Sequence, residues 1–335
     1  MTPNNSHNKR TNISIFIPHI GCPHRCSFCD QRTISGERRA PSAEDVTALL
    51  AEQAPLLTER GMSAEIAFFG GSFTAIPRGY MTELLSAAKR AAERFPCYSG
   101  IRCSTRPDCI DCEILGVLRE YGVTAVELGA QSMCDEVLEA NERGHSAEDV
   151  RIASRLIRTS GIELGLQMMT GLYRDTPERC IYTAEEFIEL APATVRVYPT
   201  VVLKGTRLGE LWTGGEYRSF GFEETVDLCA QLLRIFDEAG IRVIRMGLHA
   251  SPEVERGMLG GVYHPALREI VESRIFLNDI KALLANRPSG LYQIYTDPKN
   301  ISKAVGQKRC NIMALAELGY DVDVLPLAGE RLMIK

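Results

Sequence analysis

The sequence lacks three features that would place it among membrane, secreted or broadly basic proteins. It has no apolar run of the roughly 18–20 residues that a transmembrane helix needs, so we expect no membrane contact. Its polar N-terminus, MTPNNSHNKRTN, lacks the apolar segment of a secretory signal, so we expect a cytoplasmic protein. Lys and Arg (38) do not outnumber Asp and Glu (43), which gives a net charge of −5. Any RNA-binding surface would therefore be a local patch.

Cysteine, by contrast, is plentiful, with 11 residues. An odd count in a chain without a secretory signal argues against a disulfide framework and favours metal or redox chemistry for clustered cysteines. Cys22, Cys26 and Cys29 lie together in the segment GCPHRCSFCDQ at 21–31. A structural zinc site usually takes four ligands in two separated pairs, and no second pair follows at that distance. Three thiolates on one short loop suit three corners of a 4Fe-4S cluster, whose fourth iron stays open to a cofactor or substrate.

Apolar, β-rich runs alternate with helical patterns along most of the chain. The runs span 13–20, 64–74, 99–108, 125–132, 163–172 and 194–203, with a further candidate at 241–248. This alternation predicts parallel strands joined by right-handed crossovers. We expect an α/β fold, a partial or complete TIM-like (β/α) barrel over 13–285, with the active site at the carboxyl ends of its strands. A doubly wound sheet is the alternative fold. Residues 1–12, ahead of the first strand, are expected to be disordered.

The pattern changes near residue 285. A linker at 286–290 precedes a strand, two short helices and a strand, which predicts a small βααβ domain over 290–335. The segment VGQKR at 305–309 lies between the two helices and resembles the G-x-x-G loop with which KH modules clamp single-stranded RNA, although arginine occupies the second glycine position. Lys303, Lys308 and Arg309 are the candidate nucleic-acid-binding residues. A structural βααβ cap with a solvated charged face is the alternative.

The cysteine loop resembles the cluster-binding loop of the radical S-adenosylmethionine (SAM) superfamily, C-x3-C-x-aromatic-C, in which Phe28 is the aromatic residue. The resemblance implies that Cys22, Cys26 and Cys29 hold a 4Fe-4S cluster and that its open iron binds S-adenosyl-L-methionine. It also implies that an electron, brought by a small electron-donor protein, cleaves this cofactor to methionine and a 5'-deoxyadenosyl radical. The radical would then abstract hydrogen from a carbon of the substrate.

The same resemblance assigns cofactor contacts at the strand ends. Two glycines in FFGGSFT end the second strand and match the motif that holds the methionine amino group, and an ordinary turn is the alternative. Ser104 stands where many relatives have a glutamate that contacts the cofactor ribose, so that contact is not expected. Satisfied interior polar groups are the alternative for the other residues. The implied cofactor-binding residues are Phe28, Gly70, Gly71, Ser72, Gln131, Arg143 and Gln167.

Other charged residues near these strand ends need partners. We expect Arg106 and Asp108 in STRPD to pair with each other. Glu127, inside the apolar fourth run, needs a partner if it is buried. Arg143 and His145 follow shortly afterwards and are the candidates for that role. The sequence does not identify a catalytic residue.

Strings across about residues 13–275 resemble the radical domain of the catalytic subunit of Elongator: TRPD, ELGAQS, RGH, VRVYPTVVLKGTRL and LWTGGEYRSF. The resemblance implies transfer RNA as a partner and the addition of a carboxymethyl-type group to carbon 5 of wobble uridines. The gap between the first two cysteines is shorter here, and we expect no acetyltransferase domain because the chain ends too early to hold one. Acetyl-CoA use therefore does not follow from the resemblance.

Two other functions stay open. The first is a radical SAM enzyme acting on a small metabolite, like the oxygen-independent porphyrinogen oxidases, which share the cysteine spacing. The second is a non-enzymatic iron–sulfur sensor or scaffold, which the cysteine loop and the glycine motif together disfavour. The C-terminal unit and the Elongator-like strings favour transfer RNA modification over a small-metabolite reaction.

Overall fold

The computed structural model describes residues 10–17, 20–22, 25–36 and 39–334. The strands are β1 (Arg10–Phe16), β2 (Ser63–Phe69), β3 (Tyr98–Thr105), β4 (Val123–Gln131), β5 (Glu163–Thr170), β6 (Thr194–Pro199), β7 (Val201–Leu203), β8 (Arg242–Met246), β9 (Met258–Gly261), β10 (Gly290–Thr296), β11 (Tyr320–Pro326) and β12 (Met333–Ile334). The helices are α1 (Gln31–Ser35), α2 (Ala43–Glu59), α3 (Arg78–Arg94), α4 (Cys112–Glu120), α5 (Asp135–Ala140), α6 (Ala147–Thr159), α7 (Pro177–Leu190), α8 (Arg207–Thr213), α9 (Phe222–Glu238), α10 (Pro252–Gly257), α11 (Leu267–Leu284), α12 (Ile301–Val305) and α13 (Cys310–Glu317).

A seven-stranded sheet with the order β1-β2-β3-β4-β5-β6-β8 forms the centre of the fold. Every neighbouring pair in it is parallel, and the sheet curls into a half-barrel with β1 and β8 as its edges. The predicted partial TIM-like barrel is thus confirmed, and the candidate strand at 241–248 is β8. Among the residues that the structure covers, no helix is long and apolar enough to cross a membrane.

The two faces of this sheet differ in polarity because alternate residues of each strand point to opposite sides. On the convex face, strand residues such as Ile66, Val126 and Val197 pack with the surrounding helices in one large apolar core. The concave face carries charged and amide side chains, among them Arg102, Glu127, Gln167, Arg196 and Arg245. A parallel sheet covered by helices on both faces would be apolar on both. The polar concave face is therefore a lined cavity wall.

Sequence signals for helix starts correspond to capping contacts. Ser42 precedes α2 and accepts a hydrogen bond from the Asp45 N–H, while the Asp45 carboxylate accepts from the Ser42 N–H. Ser146 and Asp149 form the same reciprocal box at the start of α6. Each such box satisfies two backbone donors that the helix itself leaves free and contributes about 1 kcal/mol. These contacts fix where each helix begins relative to the preceding strand end.

The predicted run at 194–203 is two strands, not one. β6 ends at Pro199, and β7 then pairs antiparallel with β9 outside the main sheet. α1 contacts α10 on the same side of the molecule, and the Phe16 ring, at the end of β1, lies 6.3 Å from the His249 ring, just after β8. The two sheet edges, which do not pair with each other, thus come together at their carboxyl ends.

The C-terminal residues form a three-stranded sheet, with β10 parallel to β11 and antiparallel to β12. The two short helices α12 and α13 lie between β10 and β11 in the chain, in the predicted βααβ order. Its apolar core includes the second half of α11, a helix whose first half packs on the barrel. The buried residues of this core are Phe276, Leu277, Ile280, Leu284, Ile294, Ala304, Leu315 and Val322. α11 therefore links this unit to the barrel.

The N-terminal boundary differs from the expectation. β1 begins at Arg10 and pairs with β2 from its first residue, so residues 10–12 belong to the sheet and are not part of a disordered N-terminus. Residues 1–9 lie outside the described residues.

Candidate active site

The predicted cluster- and cofactor-binding residues, except Gln167 within β5, lie at or follow the carboxyl ends of the first four sheet strands. The cysteine loop follows β1, and Gly70 to Ser72 follow β2. Ser72 Oγ hydrogen-bonds Thr105 Oγ1 at 2.8 Å, and Thr105 ends β3. Gln131 ends β4. Because all four strands are parallel, these ends meet along one rim of the half-barrel.

The cysteine loop is anchored to two other segments. The N–H of Ser27 donates to the Asn141 carbonyl at 3.1 Å, and Ser27 Oγ donates to Asn141 Oδ1 at 2.8 Å. The Leu208 N–H, at the start of α8, donates to the Ser27 carbonyl at 2.7 Å. A turn bond from the Cys29 N–H to the Cys26 carbonyl (3.1 Å) closes the last part of the loop. The positions of Cys26 and Cys29 are thus set by residues more than 100 positions away.

The thiols are crowded and partly desolvated. Burial raises the pKa of the Cys22 thiol, against a lowering hydrogen bond from the Ser72 backbone. Burial, and next the neighbouring Cys26, raise the pKa of Cys29 to about 12. Three thiolates would repel one another here unless a cationic group compensated them, which fits the donor set of an iron–sulfur cluster. In the described ranges, no three His, Cys, Asp or Glu side chains converge as they would on a single metal ion.

Arg143 lies directly against the cysteine loop. Its Nη1 donates to Cys26 Sγ at 2.9 Å, its Nη2 donates to the Gly129 carbonyl at 2.5 Å, and its guanidinium carbon is 6.0 Å from the centre of the Phe28 ring. The side chain is buried, so its charge needs an anionic partner. A Cys26 thiolate would supply that partner.

Gln131 and Arg143 adjoin each other next to Gly129. A Cβ at Gly129 would lie 3.0 Å from Gln131 Nε2 and 3.6 Å from Arg143 Nη2. Gln131 has a φ of 70°, a left-handed conformation that costs a non-glycine residue about 1–3 kcal/mol and is typical of functional sites. Its Oε1 and the Nε of Arg143 are buried, with no hydrogen-bond partner in the part of the chain described. Buried polar atoms rarely stay unsatisfied, so these two fit a bound polar molecule such as SAM.

His145 is a further buried side chain near Arg143. Burial, followed by the charges of Arg143 and Arg106, lowers its pKa to about 4, so the ring is neutral at neutral pH. Its Nε2 lies 3.2 Å from the Ala130 carbonyl, which requires a donor, so Nε2 carries the proton. Nδ1 then presents a lone pair for which the described residues offer no donor.

The two glycines after β2 make room for the chain's own backbone. A Cβ at Gly71 would lie 2.7 Å from the Ile20 carbonyl oxygen, and a Cβ at Gly70 would lie 3.0 Å from the Ile17 nitrogen. Gly70 also has a φ of 101°. The glycines therefore allow the cysteine loop to pack onto the end of β2, in addition to any ligand that they admit.

The prediction that Arg143 or His145 pairs with Glu127 is wrong. Its carboxylate accepts from Arg102 Nη1 at 2.6 Å, from Arg196 Nη2 at 2.9 Å and from Gln167 Nε2 at 2.9 Å, and not from Arg143 or His145. Burial raises the pKa of Glu127, but the charges and hydrogen bonds of Arg196 and Arg102 outweigh it and hold the pKa below its ordinary value. The carboxylate stays ionised inside the barrel.

Gln167 belongs to this network of the concave face. Besides Glu127 it donates to Ser104 Oγ at 3.2 Å, so the serine at this strand end has a partner within the protein. The expected pairing of Arg106 with Asp108 is confirmed, by two hydrogen bonds of 2.9 Å each. The sequence analysis does not identify Arg102 as a partner of Glu127. Its position as a charged residue in the middle of an apolar strand is the signal that could have indicated this role.

The loop between α12 and α13 exposes two of the three predicted basic residues. Lys308 and Arg309 are exposed, with φ values of 50° and 63°. Gly306 has a φ of 78°, and a Cβ there would lie 2.5 Å from Cys310 Sγ. Lys303 is half-buried and forms an ion pair with Glu272 of α11 at 2.7 Å. Its charge is therefore partly neutralised within the protein.

Two family models match the chain. The Radical SAM superfamily matches residues 16–187, and the Radical_SAM C-terminal domain matches residues 192–276. The human Elongator complex protein 3 (Homo sapiens) is 30% identical over 230 residues, 63% of this chain and 41% of the human protein. The tRNA uridine(34) acetyltransferase of Methanocaldococcus infernus is 32% identical over 187 residues, 49% of this chain and 34% of that protein. The chain thus spans well under half the length of these relatives.

Solved structures share the fold. The archaeal Methanocaldococcus infernus Elp3 superposes with a TM-score of 0.63 at 20% identity, covering 84% of this chain and 65% of that one. The coproporphyrinogen III oxidase of Escherichia coli superposes with a TM-score of 0.51 at 17% identity, covering 81% of this chain and 59% of that one. At these identities the likeness establishes a common fold only.

Proposed function

The chain belongs to the radical SAM superfamily and is a radical SAM enzyme, and on that premise we propose that it modifies transfer RNA at a wobble-uridine-type position. The observation that carries the proposal is the similarity to relatives named Elongator complex protein 3 and tRNA uridine(34) acetyltransferase, which extends over 187–230 residues at 30–32% identity. This similarity lies over the radical domain of the relatives.

The described geometry supports Cys22, Cys26 and Cys29 as the ligands of a 4Fe-4S cluster. Reductive cleavage of SAM at such a cluster supplies a 5'-deoxyadenosyl radical, and a small electron-donor protein would provide the electron. Arg143 would compensate the Cys26 thiolate and, together with Phe28, shield it from water. Gln131 would orient the bound SAM through its side-chain oxygen, which has no partner among the described residues.

The basic loop of the C-terminal unit is the proposed contact with RNA. Lys308 and Arg309 are exposed side by side after Gly306, in a protein whose overall charge would repel phosphate. Lys303 contributes less because Glu272 already binds it. We therefore assign the phosphate contacts chiefly to Lys308 and Arg309.

The cluster assignment is tested by iron content and electron paramagnetic resonance after anaerobic reconstitution. Cys26→Ala should abolish the reduced-cluster signal and the formation of 5'-deoxyadenosine. Cys112→Ala, at an exposed cysteine at the start of α4, is the matched control and should retain both. Full iron content and cofactor cleavage in Cys26→Ala would refute the assignment.

The substrate is tested by mass spectrometry of transfer RNA nucleosides from cells with and without the gene. A modified uridine that disappears with the gene, and returns with wild-type protein but not with Cys26→Ala, supports the proposal. An unchanged nucleoside profile, together with SAM cleavage stimulated by a metabolite fraction but not by RNA, would favour the small-metabolite reaction instead.

The RNA contact is tested by titrating labelled transfer RNA against wild type and a Lys308→Ala/Arg309→Ala variant at two salt concentrations. Loss of two phosphate contacts should weaken binding by about 1–3 kcal/mol and lower the slope of log K against log salt by about 1.4. An Arg119→Ala/Arg155→Ala variant removes two exposed arginines from barrel helices and is the control. Equal affinities for all three proteins would make the C-terminal unit a structural cap.

A further inference from the structure

Among the described residues, two of the three arginines on the concave face of the sheet form ion pairs there, and the third does not. Arg102 contacts both Glu65 and Glu127, and Arg196 also contacts Glu127. Arg245 is the cross-strand partner of Arg196 in the register of β6 and β8, so the two side chains share this face. Within the described residues, Arg245 makes no ion pair. One positive charge on the polar wall therefore lacks an anion.

Arg245 is oriented by a single hydrogen bond. Its Nε donates to the Gly247 carbonyl at 3.0 Å, which fixes the plane of the guanidinium. The four N–H groups of Nη1 and Nη2 have no acceptor among the residues that the structure covers. The side chain is half-buried, so a bound anion would interact with it at lower dielectric than in bulk water.

Two polar side chains, Tyr198 and His249, lie within electrostatic reach of Arg245. Tyr198 Oη accepts from Arg196 Nη1 at 3.5 Å, and its own proton has no acceptor in the part of the chain that the structure describes. Burial, and then the charges of Arg245 and Arg196, lower the pKa of His249, so the three side chains lie within electrostatic reach of one another. The Arg245 guanidinium and the Tyr198 hydroxyl, for which the described residues offer no acceptor beyond Gly247, complement an oxyanion.

Aromatic rings connect this donor group to the candidate active site. The Phe16 ring lies 6.3 Å from the His249 ring and 6.3 Å from the Phe69 ring, and the Arg196 guanidinium lies 5.3 Å from the centre of the Phe69 ring. Phe16 is the last residue of β1, the strand ahead of the cysteine loop, and Phe69 immediately precedes Gly70. The donor group thus lies at the rim where the sheet edges meet, near the end of the strand that the cysteine loop follows.

We propose that Arg245 is a substrate-positioning residue that binds an oxyanion group, a carboxylate or a phosphate, of the molecule that reacts at this rim. The planar guanidinium, with two free nitrogens, matches either group in a bidentate geometry, which lysine cannot reproduce. The inference rests on the proposed function in that it places the reacting molecule at the rim, but it does not depend on that molecule being RNA.

Equilibrium dialysis of the cluster-loaded protein against radiolabelled acetate and, separately, inorganic phosphate tests the proposal. One of the two anions should bind with a stoichiometry near one, and Arg245→Gln should weaken that binding at least tenfold. Arg245→Lys, which keeps the charge but not the fork, should bind with intermediate affinity. Arg242→Gln removes an exposed arginine at the start of the same strand and should bind like wild type.

Comparing acetate with phosphate shows which kind of oxyanion the site prefers. Preference for acetate assigns the site to a carboxylate of a small co-substrate, and preference for phosphate assigns it to a nucleotide. Should Arg245→Gln fail to fold, the difference between wild type and Arg245→Lys decides the question. Binding of neither anion, or equal binding by wild type and the folded Arg245 variants, overturns the proposal.

The dialysis uses no RNA, no SAM and no turnover. A negative result would therefore leave the nucleoside analysis untouched. A negative nucleoside analysis would likewise leave anion binding at Arg245 standing, so the two proposals fail independently.

Discussion

Replacing Glu127 by glutamine should destabilise the protein more than any exposed charge change. The Glu127 side chain is 2% exposed and accepts from two arginines, so Glu127→Gln leaves two guanidinium groups facing a neutral amide. Removing one partner of a buried ion pair costs about 3–5 kcal/mol, because the remaining charge stays buried without compensation. Glu163→Gln is the control, since Glu163 is 43% exposed and 3.9 Å from Arg102. Exposed pairs of this kind contribute at most about 1 kcal/mol.

The expected shift in melting temperature follows from chain length. A protein of 335 residues unfolds with an entropy of roughly 0.7 kcal/mol per kelvin, so 3–5 kcal/mol corresponds to about 4–7 °C. Glu163→Gln should shift the midpoint by less than about 1.5 °C on the same scale. Differential scanning calorimetry of the cluster-loaded proteins at one scan rate measures both shifts.

The pH dependence provides a second check on the same variant. The folded pKa of Glu127 lies below its ordinary value of 4.5, so its stabilisation is complete above that value and is lost as pH falls through the folded pKa. The difference between wild type and Glu127→Gln should therefore be constant near neutral pH and shrink in acid. Equal midpoints for the two variants at pH 7 would mean that desolvation cancels the ion pairs, and the reasoning would be refuted.

Three further outcomes are expected. Gly71→Ala should lower the melting temperature and the cluster content, because the added Cβ would meet the Ile20 carbonyl oxygen. Gly116→Ala, in the open middle of α4, is the control and should stabilise the protein by about 0.5–1 kcal/mol. Equal shifts of the two melting temperatures in calorimetry would contradict the packing argument. An NMR titration of His145 should give a pKa near 4. The stability of the protein should therefore decline as the pH falls from the ordinary histidine pKa of 6.5 towards 4, because the unfolded state binds the proton first. A titration midpoint near 6.5 would mean that the ring is solvated. Asn311→Ala should lower the free energy of unfolding, measured in urea, by about 1–3 kcal/mol, because Asn311 Nδ2 donates to buried carbonyls of α11 and α12. An unchanged urea midpoint would show that these carbonyls find other donors.

Local sequence determined the elements and the cysteine loop. Alternation of apolar strands with capped helices is a short-range signal, because strand periodicity and capping boxes involve residues within a few positions of each other. The spacing of Cys22, Cys26 and Cys29 is equally local, and so is the position of Phe28 between the last two. These features were enough to predict a partial barrel and a cluster-binding loop at its carboxyl rim.

The partners of the charged residues were decided by the tertiary structure alone. Glu127 has Arg143 and His145 nearby in sequence, yet strand pairing places Arg102, Arg196 and Gln167 beside it, because residues aligned across parallel strands share a face. Sequence distance carries no information about such neighbours.

The same limit applies to the glycines and to the closure of the sheet. The requirement for Gly71 comes from the backbone of another segment, at Ile20, and the contact of Phe16 with His249 joins residues more than 200 positions apart. Curling of the sheet brings its two edges together and leaves Arg245 facing the rim, with no carboxylate partner in the described ranges. The sequence by itself determined which elements this protein has and which cysteines are its candidate metal ligands. The curvature of its sheet decided which side chains meet them, because contacts between distant segments depend on how strands align and not on local pattern.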